Sequence, residues 1–493
     1  MSLEDRAARA ATLKAKGNTA YQQKKFAVAA ELYTRAIAVT PRPEPVFFSN
    51  RAACYINMSP PLHHKVVEDC DAALKLDSTY VKALNRRATA LEALEKYKES
   101  LRDFTAATIL DKFQNATAAQ AVERVLKKMA TVDAATILQA REPRLPANSF
   151  VAAYFAAFRA RPLPVLPDAA STADNQLLLS LQALEAGDYT HSHSLINEAL
   201  DGHEPSWAQG KAEAYNLRGT FRFLAGDSQG AKEDLEKATK LVPSFTQSWV
   251  KIASVHMEQG DAVAAFAAFD SAIQYNKDDP DIYYHRGQVY FIMNEFSKAA
   301  EDYIKSTSLD ERFVFSHIQL AVAQYKSDNI ANSMATFRRA LKAFPDRSEP
   351  ANYYGELLLD QQRYKEAIEK FDRAFELEKT KKKAINVLPL VNKSLAIFQE
   401  KQDITAAVQL CREALQIDPE CEAAVATIAQ LSLQQGHIDE AVKMFDRHCE
   451  LARTEPELVN ALTYKYASAA QMEFMKNYPH LASQMGQLAQ SLM

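Results

Sequence analysis

The chain has 493 residues, of which 47% are hydrophobic and 24% charged, with only 12 glycines, a composition that excludes disordered and collagen-like classes. The formal net charge of -4 gives no general attraction to nucleic acid, but the charge is uneven: residues 1–110 hold 17 Lys and Arg against 12 Asp and Glu, whereas the remainder holds 41 against 50. The amino-terminal part, at +5, is therefore the better candidate for an acidic partner.

In chain order, the predicted elements follow one recurring pattern of small and bulky residues. A small residue is followed after twelve positions by another small one, then after four by a bulky apolar residue and after three by a small one. From Gly219 this register returns at Ala253, Gly287, Ala321 and Gly355, a constant spacing of 34 residues. That period is typical of the tetratricopeptide repeat (TPR), a helix-turn-helix unit that buries its apolar face by stacking on its neighbours. The pattern predicts an all-α TPR superhelix of about eleven repeats in two domains.

Three repeats are predicted in residues 1–111, and the pattern stops after them. Residues 112–172 are interpreted as a connector between two TPR domains, because prolines in RPLPVLP forbid a continuing helix. Within this connector we expect one helix at about 116–130 and a short apolar stretch, SFVAAYFAAF. About eight further repeats are predicted in residues 173–452.

Two features of the second domain depart from a regular repeat. The basic stretch KTKKK at 379–383 inserts six residues before the register resumes. Residues 453–493 have a helical pattern and are expected to cap the open end of the array, since terminal repeats need a polar outer face.

The cysteines and the start of the chain limit its chemistry and location. Five cysteines at scattered spacings, without a CxxC pair, indicate reduced and buried thiols in a cytosol-facing protein. The first ten residues lack a signal-peptide core, and no apolar run approaches the roughly 20 residues of a membrane span. We therefore expect the chain as given to be soluble.

Catalysis has little support in the sequence. No phosphate-cradling glycine loop, metal-ligand spacing or nucleophile elbow occurs, so we expect no enzyme activity, no cofactor and no metal. Acidic pairs such as Glu68 with Asp69 are interpreted as charges on the outer face.

The most specific candidate site lies on the first helices of the first three repeats. Positions three or four apart share a helix face, and the inner face carries Lys14, Asn18, Asn50, Lys82 and Arg86. Three cations and two amides suit two closely spaced carboxylates, as presented by a peptide that ends in Asp. The alternative is that these are ordinary solvated residues. Like charges at Lys82 and Arg86 and helix-interior asparagines, both unfavourable for an isolated helix, argue against that alternative.

The same five residues resemble the two-carboxylate clamp of cochaperone TPR domains, through the motifs LKAKGN, SNRAA and VKALNRRA. That clamp binds the Glu-Glu-Val-Asp tails of the seventy- and ninety-kilodalton heat-shock chaperones. Three further stretches resemble the seventy-kilodalton import receptors of the mitochondrial outer membrane: FTAATILDKFQN at 104–115, REPRLPANSFVAAYFAAF at 141–158 and NVLPLVNKSLAIF at 386–398. The three-plus-eight repeat plan and the Leu-Met terminus agree with that family.

The resemblance implies an import receptor that docks chaperone tails and accepts the delivered preprotein in its carboxy-terminal TPR groove. It further implies other TOM complex subunits as partners, no nucleic acid, and a place on the cytosolic face of the outer membrane. Members of that family begin with a membrane anchor that is absent here, so the chain is interpreted as the soluble cytosolic part. The alternative function is a soluble TPR cochaperone scaffold without a membrane role.

The inner positions of the second domain combine apolar and acidic residues. Such a surface suits an amphipathic, basic targeting segment or an internal hydrophobic stretch. The alternative is that many of the aromatic side chains belong to the core between repeats. The predicted preprotein groove consists of Phe223, Val250, Met257, Tyr284, Phe291, Phe315, Ile318 and Tyr325, with Asp281, Glu349 and Glu356 beside them.

Overall fold

The computed structural model describes residues 2–142, 144–381 and 385–481. Within these ranges the chain forms twenty-five α-helices and no β-strand, which confirms the all-α prediction. Three helix pairs come first: α1 (Leu3–Gln22), α2 (Phe26–Val39), α3 (Pro45–Asn57), α4 (His63–Leu76), α5 (Val81–Ala93) and α6 (Tyr97–Leu110). Two helices follow where the connector was predicted: α7 (Ala116–Ala140) and α8 (Asn148–Ala156).

Eight further helix pairs continue the repeat pattern. They are α9 (Thr172–Ala186), α10 (Tyr189–Asp201), α11 (Ala208–Leu224), α12 (Ser228–Leu241), α13 (Thr246–Glu258), α14 (Ala262–Tyr275), α15 (Pro280–Ile292), α16 (Phe296–Leu309), α17 (Val314–Lys326), α18 (Ile330–Ala343), α19 (Glu349–Asp360), α20 (Tyr364–Lys379), α21 (Leu388–Lys401), α22 (Ile404–Ile417), α23 (Glu422–Gln434) and α24 (Ile438–Leu451). The last helix described is α25 (Glu455–Asn477). The prediction of about eleven repeats is confirmed.

In several repeats, an aromatic ring at the bulky position lies against a glycine of the partner helix. A Cβ atom added at Gly287 would lie 2.8 Å from Cε1 of Tyr303, and one added at Gly355 would lie 2.6 Å from Cε1 of Phe371. Both rings are fully buried. Because nothing larger than hydrogen fits under these rings, the small residues of the repeat pattern set the separation of the two helices.

Buried ion pairs join the two helices of several repeats. In each, the arginine immediately precedes the first small residue of the pattern, and the aspartate immediately precedes the bulky one. The pairs are Arg51 with Asp69, Arg87 with Asp103, Arg218 with Asp234 and Arg286 with Asp302. Asp69 is 5% exposed and accepts hydrogen bonds from Arg51 at 2.6 and 2.8 Å, so its interpretation as an outer-face charge was wrong. A carboxylate can be buried here because the arginine pairs with it.

The described residues form two compact units whose boundaries differ from the predicted ones. Residues up to Arg141 and from Ser432 onward form the first unit, and residues from Glu142 to Leu431 form the second. Helix α7 belongs to the first unit and α8 to the second, so the predicted connector at 112–172 contributes to both folds.

Helix α25, predicted as a cap of the array, contacts α24, the last helix of the repeats, where Tyr464 stacks on Phe445 with 5.7 Å between ring centroids. It also packs on α7 in the first unit, where the hydroxyl of Tyr466 donates to Asp133 at 2.6 Å and Leu458 and Leu462 join a core cluster with Ala134. Residues 482–493 of the predicted cap, and Lys382 and Lys383 of the basic insertion, lie outside the described residues.

The five cysteines are all buried, which confirms their interpretation as core residues. Throughout the described ranges, no helix combines the length and the apolar character needed to traverse a bilayer.

Candidate functional site

The five predicted clamp residues lie on the first helices of three consecutive repeats in the first unit. Lys14 and Asn18 are on α1, Asn50 on α3, and Lys82 and Arg86 on α5. These helices come together because small residues of the repeat, such as Ala52 and Ala88, are completely buried between neighbouring helices.

A hydrogen-bonded pair of amides lies at the centre of this arrangement. Nδ2 of Asn50 donates to Oδ1 of Asn18 at 3.3 Å, and the hydroxyl of Tyr33 donates to the same oxygen at 2.6 Å. Burial raises the pKa of Tyr33 to about 12, so the phenol remains a donor at neutral pH. With both donors directed at Oδ1, the Asn18 amide nitrogen has no acceptor among the residues that the structure describes and is available to a ligand oxygen.

Arg86 is fixed on the neighbouring helix beside Asn50. Its Nη1 donates to the carbonyl oxygen of Ser49 at 2.9 Å and also to the Ser49 hydroxyl. These bonds use one of the guanidinium's nitrogens and orient the group, while the remaining donors stay available. Neither Ser49 nor Tyr33 was predicted as a supporting residue: Tyr33 is the bulky core residue of its repeat, and Ser49 lies outside the repeat pattern.

In the described part of the chain, the positive charge of the clamp is not neutralised by carboxylates. Within residues 2–142, 144–381 and 385–481, no carboxylate lies at ion-pairing distance from Lys14, Lys82 or Arg86. Arg87, next in sequence to Arg86, is by contrast paired with Asp103 and Asp71 at 2.5 Å. The two adjacent arginines thus differ in role: one holds its repeat together, and the other has an unmatched charge.

The two lysines are less tightly held than the other three residues. The Lys14 ammonium lies 5.2 Å from the centroid of the Phe47 ring of α3, a cation–π contact that brings it toward the asparagine pair. Lys82 is exposed, and no contact among the described residues joins it to the other four. The structure therefore brings Asn18 and Asn50 into direct contact and holds Arg86 on Ser49, the residue before Asn50, with Lys14 and Lys82 on the same helices as Asn18 and Arg86.

The predicted preprotein groove divides into core residues and half-buried residues. Val250, Tyr284 and Ile318 are 0%, 5% and 0% exposed and belong to hydrophobic clusters between helix pairs. Their assignment to an open groove was wrong, because each fills the space where consecutive repeats stack. The remaining apolar positions are half-buried at the margins of these clusters: Phe223, Met257, Phe291, Phe315 and Tyr325.

The acidic residues of the groove have different partners. Glu349 accepts two hydrogen bonds from Arg347, at 2.8 and 2.9 Å; burial opposes the ionised form, but Arg347 holds the pKa of Glu349 below its usual range. Glu356 accepts bonds from the amides of Asn352 and Asn392, at 2.7 and 2.8 Å, and burial raises its pKa. No cation is at ion-pairing distance from Glu356 among the described residues, so it is the acidic group here that a basic ligand would neutralise.

Part of the second unit's apolar inner surface is covered by the chain itself. Tyr154, on α8, has its ring centroid 5.9 Å from that of Phe223 and 5.6 Å from that of Phe158. Phe158 is 7% exposed, belongs to the same cluster as Val250, and stacks on His285 with 4.2 Å between ring centroids. This contact among α8, α11 and α15 was not predicted.

Charged groups hold the residues that follow α8. Nε of Arg159 donates to Oδ1 of Asp281 at 2.9 Å, and Nη2 of Arg159 bonds to Asp279. Nη2 of Arg161 donates to Oε1 of Glu213 at 2.6 Å. Burial and the neighbouring Asp279 raise the pKa of Asp281 to about 6, although Arg159 opposes that change. Asp281, predicted to border an open groove, is therefore already paired.

Metal binding has no support in the described part of the chain, where no group of three or more His, Cys, Asp or Glu side chains could hold an ion. The arrangement can instead bind peptide through fixed cations, amides and aromatic surface.

Comparisons with known proteins agree with the repeat architecture. Models of the tetratricopeptide repeat match residues 399–463, 318–377 and 280–313, and a model described as TPR repeat matches residues 253–293. These matches fall on helices α13 to α25, where the 34-residue spacing is regular or nearly so.

Similarity to individual proteins extends over nearly the whole chain. The mitochondrial import receptor subunit TOM70 of Homo sapiens is 30% identical over 95% of this chain and 80% of the human protein. TOM70 of Saccharomyces cerevisiae (strain ATCC 204508 / S288c) is 30% identical over 96% of this chain and 82% of its own length. The crystal structure of yeast Tom70 aligns with a TM-score of 0.60 over 97% of this chain and 98% of that chain, at 30% identity. Because the similarity covers the irregular helices α7 and α8 as well as the repeats, the chain belongs to the TOM70 family of mitochondrial import receptor subunits.

Proposed function

We propose that this protein is a receptor for protein import into mitochondria, in which the first unit docks chaperone tails and the second accepts the preprotein. Its family, whose relatives are named as mitochondrial import receptor subunits, supports the general role. The observation that best supports the chaperone site is that Lys14, Lys82 and Arg86 have no carboxylate partner among the described residues. These three cations and the hydrogen-bonded pair Asn18 and Asn50 lie on the first helices of the first three repeats. The receptor acts at the cytosolic face of the mitochondrial outer membrane, with other TOM subunits, by binding rather than by catalysis.

The chemistry of the clamp suits the carboxyl end of an Asp-terminated tail. Such a tail presents its terminal carboxylate and the Asp side chain close together, and each accepts charge-assisted hydrogen bonds from cationic or amide donors. A bond of this kind contributes about 1.5–3 kcal/mol. The Ser49 contacts that orient Arg86 reduce the conformational entropy lost on binding, so part of the site is preformed.

The second unit supplies a different chemistry for the preprotein. Half-buried Phe315 and Tyr325 offer apolar surface, and Glu356 offers a carboxylate without a cationic partner among the described residues. A basic, amphipathic segment would place its apolar side chains on Phe315 and Tyr325 and a lysine or arginine near Glu356. Both the chaperone and the precursor are thus bound through peptide-like segments.

The clamp is tested by replacing its best-ordered cation. We expect Arg86→Ala to weaken binding of a labelled peptide ending in Glu-Glu-Val-Asp at least tenfold in fluorescence anisotropy, with Lys82→Ala acting in the same direction. The matched control is Arg124→Ala, which removes an exposed arginine of the same unit that pairs with Glu92. If the Arg86 variant and the control bind the peptide equally well, at unchanged helical content, the assignment of Arg86 to a carboxylate clamp is wrong.

A further inference from the structure

The residues that cover part of the second unit have the composition of the segment that this unit is proposed to receive. Residues 148–161, NSFVAAYFAAFRAR, contain two arginines, four aromatic residues and no Asp or Glu. Targeting segments for mitochondria are likewise rich in arginine and poor in acidic residues. Helix α8 spans only Asn148–Ala156, and Pro146 and Pro162 flank it.

Apolar contacts anchor this segment along one face. Val151 is completely buried in a cluster with Leu177 and Phe221, and the ring of Phe155 lies 5.8 Å from that of Phe221. Two residues after the end of α8, Phe158 enters the cluster of α13 and α15. Aromatic and aliphatic anchors at these spacings are how an amphipathic helix occupies a groove.

Charge and hydrogen bonds hold both ends of the segment. At the carboxyl end, Arg159 pairs with Asp281 and Arg161 pairs with Glu213. At the amino end, the Ser149 hydroxyl bonds to Asp418. The second unit therefore recognises this segment by aromatic anchors followed closely by arginines, and it supplies the acidic groups that those arginines need.

We propose that residues 148–161 act as an internal ligand of the second unit, and that an incoming basic amphipathic helix binds by displacing them. This inference rests on the proposed function and deepens it: the substrate class is a helix with aromatic residues spaced three or four apart and arginines immediately after them. A helix of this length is marginal without its packing partners, so occupancy depends on the groove contacts. Because the site is partly filled, the apparent affinity for a precursor equals the intrinsic affinity multiplied by the fraction of time that the segment is detached.

Hydrogen exchange on the unmodified full chain tests the displacement. The probe is an isotopically heavy peptide of sequence NSFVAAYFAAFRAR, which mass spectrometry distinguishes from the chain's own segment. We expect saturating peptide to accelerate exchange of backbone amides 150–158 of the chain at least tenfold. A peptide with glutamates in place of both arginines is the control and should leave that exchange unchanged. Binding of the heavy peptide without faster exchange at 150–158 would overturn the inference.

A loosened variant provides the second test. Phe158→Ala combined with Arg159→Gln should bind the same peptide at least tenfold more tightly than the parent chain, since less of the site is occupied. The matched control is Arg363→Gln, which breaks an exposed pair with Glu366 in the same unit. Equal affinity in the loosened variant, the control and the parent would contradict internal competition.

A mitochondrial precursor separates failure of this inference from failure of the proposed function. If the precursor binds the parent and loosened chains equally, and the peptide does not compete, the receptor function stands and the internal ligand is refuted. If the precursor binds neither chain, the precursor half of the proposed function is overturned together with this inference.

Discussion

The substitution Lys251→Met tests how much the burial of one amine lowers the stability of the second unit. The side chain is 3% exposed on α13, where its ammonium donates to Oγ1 of Thr220 at 2.8 Å. It lies 4.9 Å from the ring centroid of Phe158. None of the described residues places a carboxylate at ion-pairing distance from it, although Asp281 and Glu213 act on it from further away. Burial, with a smaller contribution from Arg161, lowers its pKa from 10.5 to about 7.

The loss of folding stability caused by Lys251 follows from the difference between its pKa values in the unfolded and folded chains. Above about pH 10.5 the amine is neutral in both the folded and unfolded chains, so its ionisation costs nothing. As the pH falls toward 7 the unfolded chain binds the proton and the folded chain does not, so stability decreases by about 1.36 kcal/mol per pH unit. Below pH 7 the full cost remains, about 5 kcal/mol as an upper bound for a fall from 10.5 to about 7. Methionine has a similar length and no charge, so it removes this cost.

Thermal unfolding at several pH values measures the effect. We expect the Lys251→Met variant to unfold at a higher temperature than the parent chain at pH 7, and the difference to shrink steadily between pH 7 and 9.5. Other titrating groups are common to both chains, so the difference isolates Lys251. The control, Lys240→Met, replaces a lysine whose side chain is 75% exposed and should show no such trend.

Two outcomes would refute this reasoning. If Lys251→Met is less stable than the parent at pH 7, the hydrogen bond to Thr220 contributes more than the burial of charge costs. If the difference between the two chains is the same at every pH, Lys251 does not titrate in this range.

Three further predictions concern the repeats and the clamp. Gly287→Ala should destabilise the second unit by about 1–3 kcal/mol in urea unfolding, because the new Cβ would lie 2.8 Å from Tyr303; an unchanged midpoint would contradict the close packing. Arg286→Met should cost about 3 kcal/mol or more, since it leaves Asp302 buried without its partner. Arg35→Met, which removes a pair whose side chains are over 60% exposed, should change stability by less than about 1 kcal/mol, and equal losses in the two arginine variants would refute the distinction. Affinity for the acidic tail peptide should fall as salt rises, and a salt-independent dissociation constant would argue against a charged clamp.

The repeat architecture was determined by local sequence alone. A spacing of 34 residues with small and bulky positions is sufficient, because each helix pair contacts only its neighbours and the same steric rule applies at Gly17 and at Gly355. The same register predicted that Asn18, Asn50 and Arg86 lie on the inner faces of the first helices of their repeats. The buried arginine–aspartate pairs could also have been found, since they recur at fixed places in the repeat.

Only the tertiary structure decided how the segment between the repeats packs. Burial inside the repeats follows the register: Val250, three residues before the first small residue of its repeat, is completely buried, and Met257, four residues after it, is half-buried, as are the positions equivalent to Met257 in the two neighbouring repeats. The burial of Phe158 and the pairing of Arg159 with Asp281 join residues more than a hundred positions apart. No periodicity encodes such contacts, because they arise from how a stack of repeats and an irregular segment fold around each other.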